Sequence, residues 1–228
     1  MAEPDSAPGH PARIAVFDLD GTITRRDTHV PYLAGYARRH PGKCWRLWRL
    51  PLTLTRFATG FSDRGHLKSS LIRQVMLGAR REQVLEWSEE FCRSHLPALL
   101  MPRALATIES HRAAGDHLVL LSASVDLYVP AIGRHLGFHE SICTGISWNG
   151  DALEGRLTTP NRQGTEKRRV IESLRARHPQ ARLAAYGNAT SDLEHLMTVE
   201  EPQVVNASAA TLRRARSLGL PCADWRGD

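Results

Sequence analysis

The sequence lacks any long apolar run. Its charge-free stretches reach only about ten residues, far short of the roughly 18 that a membrane-spanning helix needs, which excludes a simple spanning protein. Cysteine is scarce: Cys44, Cys92, Cys143 and Cys222 lie far apart with no CxxC pair. That spacing offers neither a zinc cage nor a disulfide framework, and a reducing cytoplasm is the expected setting. Aromatic residues make up only 6%, so their placement carries more information than their number. The opening residues, MAEPDSAPGHPA, have no basic start and no apolar centre, so residues 1–12 are expected to be a disordered tail and not a targeting signal. No internal repeat or low-complexity tract is visible. What is present, 42% apolar and 24% charged residues in a chain of 228, suits one medium domain or a core domain carrying one large insertion.

Charge is unevenly placed. The net charge is +6, and no acidic residue falls between Asp27 and Asp63, where Arg38, Arg39, Lys43, Arg46, Arg49 and Arg56 all lie. That one segment therefore holds the whole basic excess. It also contains Tyr32, Tyr36, Trp45, Trp48, Phe57 and Phe61. Arginines interleaved with Trp and Leu suit an anionic membrane surface, with rings at headgroup depth. They equally suit a phosphate-rich partner, or a helical subdomain that buries its rings and solvates its arginines. No RNA- or DNA-binding motif is visible and no nucleic-acid partner is expected.

The periodicity predicts an α/β fold. RIAVFD (13–18), HLVLLSAS (117–124), ARLAAYGN (181–188) and PQVVNAS (202–208) read as buried parallel strands. SICTGISWNGDALEGRLT has strand character around turns at Asn149-Gly150 and Glu154-Gly155. Helical spacing fills the chain between the first two strands, with breaks expected at Pro41-Gly42 and Pro51. VDLYVPAIGRHLG, GTEKRRVIESLRARH, SDLEHLM and AATLRRARSLG supply the later helices. Alternating strands and helices predict a Rossmann-like parallel sheet covered on both faces. The catalytic core is expected over 13–26 and 113–228, with a helical cap over 27–112 inserted after the first strand.

Ligands of open parallel sheets bind beyond the carboxyl ends of the strands, and three such ends here carry polar groups. The first is Asp18-Leu19-Asp20-Gly21-Thr22. Alternation along an extended chain points Asp18 and Asp20 the same way, and two adjacent carboxylates are stabilised by a divalent cation. Gly21 permits a tight turn whose amides can face an anion. The second end offers the Ser122 hydroxyl, and the third offers Gly187-Asn188 with Asp192 four residues on. Lys167, at the start of a helix, adds a fixed positive charge. A nucleophilic carboxylate, a second carboxylate, a cation site, a hydroxyl and an ammonium suit phosphoryl transfer. The bland rivals are turn carboxylates for Asp18 and Asp20, a solvated lysine for Lys167, and a helix cap for Asp192. His135 and His139 are separated by Gly137, which argues against a metal pair, and His195 reads as a helix-face residue.

In order and spacing, FDLDGT, LLSAS, Lys167 and GNATSD resemble the four motifs of the haloacid dehalogenase superfamily of phosphohydrolases, across Arg13 to about Ser208. The insertion resembles the helical cap of the phosphoserine-phosphatase-like branch. By this resemblance Asp18 would attack phosphorus and Asp20 would act as acid and then base. Gly21, Thr22, Ser122, Ala123 and Lys167 would hold the phosphoryl group. Mg2+ would be bound by Asp18, the Asp20 carbonyl and Asn188. The family usually has aspartate where Asn188 stands, so weaker metal binding is expected, compensated by Asp192.

The resemblance also implies a substrate role for the cap. Asp27, nine residues after Asp18, occupies the place of a substrate-reading acid in phosphoserine phosphatases. The basic, Trp-rich run from Tyr32 is similar in style to the cap of C-type phosphatidylglycerophosphatases. The expected partner is therefore a phosphorylated lipid headgroup, with peripheral contact between residues 28–62 and the anionic inner face of the cell membrane. The alternative is a soluble phosphatase of phosphoserine or another small metabolite, and a noncatalytic phosphate-binding module ranks last.

Overall fold

Arg13–Phe17 forms β1, the strand on which the rest of the sheet is ordered. In this computed structural model residues 11–61 and 63–227 are described, and the side chains of residues 43–46 lie outside the description. The expected tail over 1–12 thus falls, as far as residue 10, outside the described residues. β1 pairs in parallel with β2 (His117–Val125) on one side and β6 (Arg182–Gly187) on the other. Outward from these lie β3 (Glu140–Thr144), next to β2, and β7 (Glu201–Val205) and the short β8 (Cys222–Ala223) beyond β6. All these pairings are parallel, giving a six-stranded α/β sheet ordered β3-β2-β1-β6-β7-β8. Phe17 sits level with Leu120 on one neighbour and Tyr186 on the other. The three motif-bearing strand ends therefore emerge side by side at one edge of the sheet.

The alternation of β1 divides the core. Ile14 and Val16 face a layer with Val119, Leu183, Val170 and Leu174, contributed in part by α7 (Thr165–Arg177). Ala15 and Phe17 face the other layer, where Phe17 stacks on Tyr186 at 4.4 Å between ring centroids. That second layer runs without interruption into the inserted helices.

Between β1 and β2 lie α1 (His29–Arg39), a 3₁₀ segment (Pro41–Arg49), α2 (Leu50–Ala58), α3 (Arg64–Met76), α4 (Arg81–Ser94) and α5 (Pro102–Ala113). A buried ring cluster of Tyr32, Phe91, Trp87 and Tyr128 joins α1 and α4 to the turn after β2. α5 leans on the sheet itself, where His111 Nε2 lies 2.8 Å from the Tyr186 hydroxyl.

One proline acts differently from the expectation. Pro51 stands at the start of α2 and opens that helix instead of interrupting one. Pro130 likewise opens α6 (Val129–His135), which is shorter than the periodic run around it. A missing N–H and a preset φ suit the first turn of a helix. The stretch after β3 leaves the sheet as an antiparallel hairpin, β4 (Ile146–Asn149) and β5 (Ala152–Leu157). The hairpin docks on the inserted helices: Ser69 Oγ donates to the Gly155 carbonyl at 2.7 Å and the Gly78 amide to Leu153 at 2.8 Å. α8 (Leu193–Leu196) and α9 (Ala209–Ser217) complete the fold.

The basic aromatic segment splits in two. Tyr32 and Tyr36 are fully buried. α2, in contrast, buries no residue, and Trp48 and Phe61 beside it are 66% and 79% exposed. Among the described residues no helix is long and apolar enough to cross a membrane.

Candidate active site

β1 delivers Asp18 into a cleft between its two neighbours, held there by its own amide donating to the Tyr186 carbonyl at 3.0 Å. The Lys167 ammonium, buried at the first turn of α7, donates to Asp18 Oδ1 at 2.7 Å and to Asp192 Oδ1 at 2.9 Å. Thr22 Oγ1 donates to Asp18 Oδ2 at 3.1 Å. Thr22 is fully buried, so its hydroxyl steadies Asp18. Asp18 and Asp20 both line one cavity of about 690 Å³, together with Gly21, Lys167, Asn188 and Asp192. Of the motif residues, Ala123 also borders this cavity, whereas Ser122 and Thr22 do not.

Asp20 sits in a different net. Its Oδ1 accepts the Thr28 amide and hydroxyl, both at 2.8 Å, and its Oδ2 accepts Ser124 Oγ at 2.6 Å. Thr28 and Ser124 are functional neighbours that the sequence reading missed. Ser124 had a signal, since it lies two residues after Ser122 and alternation puts both on one face of the strand. Thr28 had none, because only the turn after Gly21 brings it back to Asp20.

Ser122 is fully buried, and its Oγ accepts the Ser124 amide at 3.0 Å. The cavity wall at this point is Ala123. Asp192 has both oxygens engaged: Oδ1 on Lys167, and Oδ2 on the amides of Asn188 (3.1 Å) and Ala189 (3.0 Å). Its observed contacts therefore anchor the lysine and the loop after β6. Asn188 presses its carboxamide over the first turn, where a Cβ on Gly21 would stand 2.0 Å from Asn188 Nδ2. With φ at +83°, a side chain at Gly21 is strained as well as crowded by Asn188.

Electrostatics separate the two acids of the first motif. Burial pushes Asp18 up to about 6 against the pull of Lys167, and nearby Asp192 and Asp20 add to the rise. Burial and then Asp27 also raise Asp20, opposed by the hydrogen bonds from Ser124 and Thr28. Burial acts to lower Lys167, but Asp18 and Asp192 outweigh it and hold the ammonium well above its ordinary range. Burial disfavours the charge of Asp192 as well, and Lys167 overrides it, so that carboxylate stays ionised below its ordinary range. Asp18 and Asp192 thus share the Lys167 ammonium, with Asp20 close by, an excess of negative charge that a divalent cation offsets.

The residues fit such a cation. Among the described residues no three His, Cys, Asp or Glu side chains converge as a metal cluster. Asp18, Asp20 and Asn188 all border the cavity, so the Asp18 carboxylate, the Asp20 carbonyl and the Asn188 amide would be the oxygen donors to the cation. This is a hard, oxygen-only set of the kind magnesium takes, but it contains one charged side chain only.

The cap closes the cavity from the other side. Asp27 is exposed at the rim, with Oδ1 tied to the amides of His29 (2.8 Å) and Val30 (3.3 Å) in the first turn of α1. Lys68, from α3, reaches in and donates to the Ala123 carbonyl at 2.6 Å. His29 is 3% exposed and faces the same cavity. The sequence held no local signal for Lys68 or His29, because only the folding of the cap over the strand ends places them there.

Known proteins bear on this architecture. The chain is 34% identical over 196 residues to Protein CicA of Caulobacter vibrioides, covering 85% of this chain and 86% of that one. A crystal structure of a protein of unknown function from Bordetella pertussis Tohama I superposes with a TM-score of 0.80 at 21% identity, covering 94% and 99% of the two chains. A phospho-aspartyl intermediate analogue of phosphoserine phosphatase shares the fold with a TM-score of 0.62 at 13% identity, covering 93% of each chain. The sequence profile of the haloacid dehalogenase-like hydrolases matches residues 15–197, which include Asp18, Asp20, Ser122, Lys167, Asn188 and Asp192, and the chain belongs to that family.

Proposed function

We propose that the protein is a magnesium-dependent phosphomonoester hydrolase that works through an aspartyl-phosphate on Asp18 and acts on a small phosphorylated metabolite. The observation that carries this reading is the buried Asp18–Lys167–Asp192 arrangement beside Asp20, all bordering one cavity. A carboxylate oxygen of Asp18 bonds to phosphorus as the bond from phosphorus to the leaving oxygen breaks. Asp20, whose pKa burial and Asp27 raise, gives a proton to that oxygen and then takes one from the water that releases phosphate from Asp18. Lys167 and the main chain around Gly21 and Ala123 hold the phosphoryl oxygens, and Ser122 supports the turn beneath them. When bound by Asp18, the Asp20 carbonyl and Asn188, magnesium supplies positive charge that keeps the Asp18 carboxylate ionised and neutralises the phosphoryl group.

The substrate reading moves away from the expected lipid. The fold is shared with a phosphoserine phosphatase, which supports a small phosphomonoester such as phosphoserine over phosphatidylglycerophosphate. One observation still favours a second reading, a lipid phosphate met at an anionic surface: α2 buries nothing, exposes Leu52 and Leu54, and stands beside the exposed Trp48 and Phe61 with the basic Arg49, over the Trp48 ring, and Arg56. Phosphate release from a panel of phosphorylated metabolites and from phosphatidylglycerophosphate, with and without Mg2+, tests both. Phosphoserine or a similar small ester is expected to turn over, and Asp18→Asn to abolish turnover. Release confined to the lipid, with flotation on anionic vesicles at low salt, would replace the main reading by the second. Undiminished release by Asp18→Asn would sink both.

A further inference from the structure

The geometry points to His29 as a specificity-determining residue that, with Lys68, forms the leaving-group wall of the catalytic cavity and selects phosphomonoesters whose alcohol carries its own anionic oxygen group. This inference rests on the phosphatase reading above and extends it to the part of the substrate that the four motifs do not touch.

His29 is buried, lines the cavity, and has no hydrogen-bond partner on either ring nitrogen among the described residues. A buried polar atom without a partner is costly, and native structures rarely keep two on one ring. An apolar ring would fill the same space beside Tyr128, whose centroid lies 6.4 Å away, without that cost. An imidazole kept there finds its partner when the cavity is filled. Burial, and the charge of nearby Lys68, push the ring down to about 4, so near neutrality it offers one N–H donor and one acceptor.

Lys68 gives the wall its sign. Its ammonium is half-buried and spends hydrogen bonds on the Ala123 carbonyl at 2.6 Å and on Asn161 Oδ1 at 3.5 Å. A third donor remains. Lys68 lines the same cavity as Asp20, the acid that protonates the leaving oxygen, and Asp20 is foremost among the carboxylates that oppose the effect of burial on the lysine. At the rim stand Arg25, Arg26 and Arg64, none in an ion pair among the described residues. Among the described residues Asp27 is the one acid that the cap contributes to the cavity lining, and one of its oxygens is committed to α1. The cap wall thus offers an excess of positive charge with a hydrogen-bonding imidazole in its depth. A carboxylate or second phosphoryl group on the alcohol meets Lys68 and the rim, and a polar atom of the same alcohol meets His29.

The test compares 2-phosphoglycolate and O-phosphoserine with glycerol 2-phosphate and p-nitrophenyl phosphate, all with Mg2+. Wild-type protein is expected to prefer the two carboxylate-bearing esters at least tenfold in kcat/KM. His29→Phe and Lys68→Met are each expected to lower that preference tenfold or more, chiefly through KM, with partial recovery in His29→Asn. Because the wild-type ring is unpaired, His29→Phe is expected to keep or raise the melting temperature. An equal loss on all four esters, or a fall in melting temperature matched by no change in preference, would assign His29 a structural role and overturn the inference. Should His29→Phe not fold, His29→Asn and Lys68→Met decide by the same preference ratio. Hydrolysis of all four esters without preference defeats this inference alone, whereas hydrolysis of none defeats the phosphatase reading beneath it.

Discussion

Replacing Lys167 by Met removes the one ammonium that two buried carboxylates share, at 2.7 and 2.9 Å, while nearly preserving side-chain length. Breaking a buried pair by deleting one partner costs about 3–5 kcal/mol, because the remaining charge is left uncompensated. For a chain of this size, at roughly 2–4 °C per kcal/mol, the melting temperature should fall by about 6–20 °C at pH 7. The loss has a direction in pH. Without Lys167, burial and mutual repulsion raise the folded-state pKa values of Asp18 and Asp192 above their unfolded values. The folded variant then binds more protons than the unfolded chain, and its stability falls as pH rises. The deficit against wild type is therefore expected to be largest at pH 7–8 and to shrink toward pH 5. Differential scanning calorimetry across that range, without added metal, measures it. A variant as stable as wild type, or a deficit that does not change with pH, would falsify the view that Lys167 neutralises these carboxylates. Phosphate release by the variant is expected to fall at least a hundredfold, since no other described cation bonds Asp18.

Asn188→Asp adds a second charged ligand beside Asp18, so the Mg2+ concentration for half-maximal phosphate release should fall roughly tenfold, while the metal-free protein melts lower; metal titration of activity and of melting temperature checks both signs. Ser124→Ala deletes the 2.6 Å bond to Asp20 Oδ2, a contact that holds the Asp20 pKa down; the alkaline limb of the pH–rate profile should move upward, and an unmoved limb would remove Ser124 from the site. Gly21→Ala meets both a positive φ and Asn188, so activity should fall at least tenfold even where circular dichroism shows a folded protein. His29 and His195 are held down to about 4 and about 3, chiefly by burial. Their folded-state values lie below the unfolded one near 6.5, so the stability they protect is complete above that pH and is lost as pH falls toward 4. Urea midpoints should drop over that window, and less steeply in His29→Phe.

The strand ends were legible because their determinants are local. A buried parallel strand is an apolar run, and the carboxylates after Phe17, the serine after Leu121 and the loop after Gly187 fall where such runs stop. Their order along the chain, with the lysine of α7 between them, was enough to indicate a cation-assisted phosphoryl site. The cap was legible only as helices. Composition treated residues 28–62 as one basic aromatic segment, but packing divided it, burying Tyr32 and Tyr36 and leaving α2 outside. That division depends on which face meets α3 and α4, and helical periodicity alone does not record it. Pro51 misled for a similar reason: a proline breaks a helix or opens one according to where the preceding chain turns.

What the sequence by itself determined is the catalytic apparatus that strand geometry forces together, from Asp18 and Asp20 to Lys167. Tertiary structure alone decided which groups surround it. Thr28 and Ser124 reach Asp20, Thr22 turns inward to Asp18, Asp192 is committed to Lys167 and the loop amides, and His29 and Lys68 form the opposite wall. The physical reason is that turns and layers decide these contacts. Thr22, Thr28 and the loop amides lie only 3 to 8 residues from their partners but reach them through turns, whereas Ser124 lies 104 residues from Asp20 and Lys68 lies 55 from Ala123, and those meet only after burial of the core has fixed one layer against another.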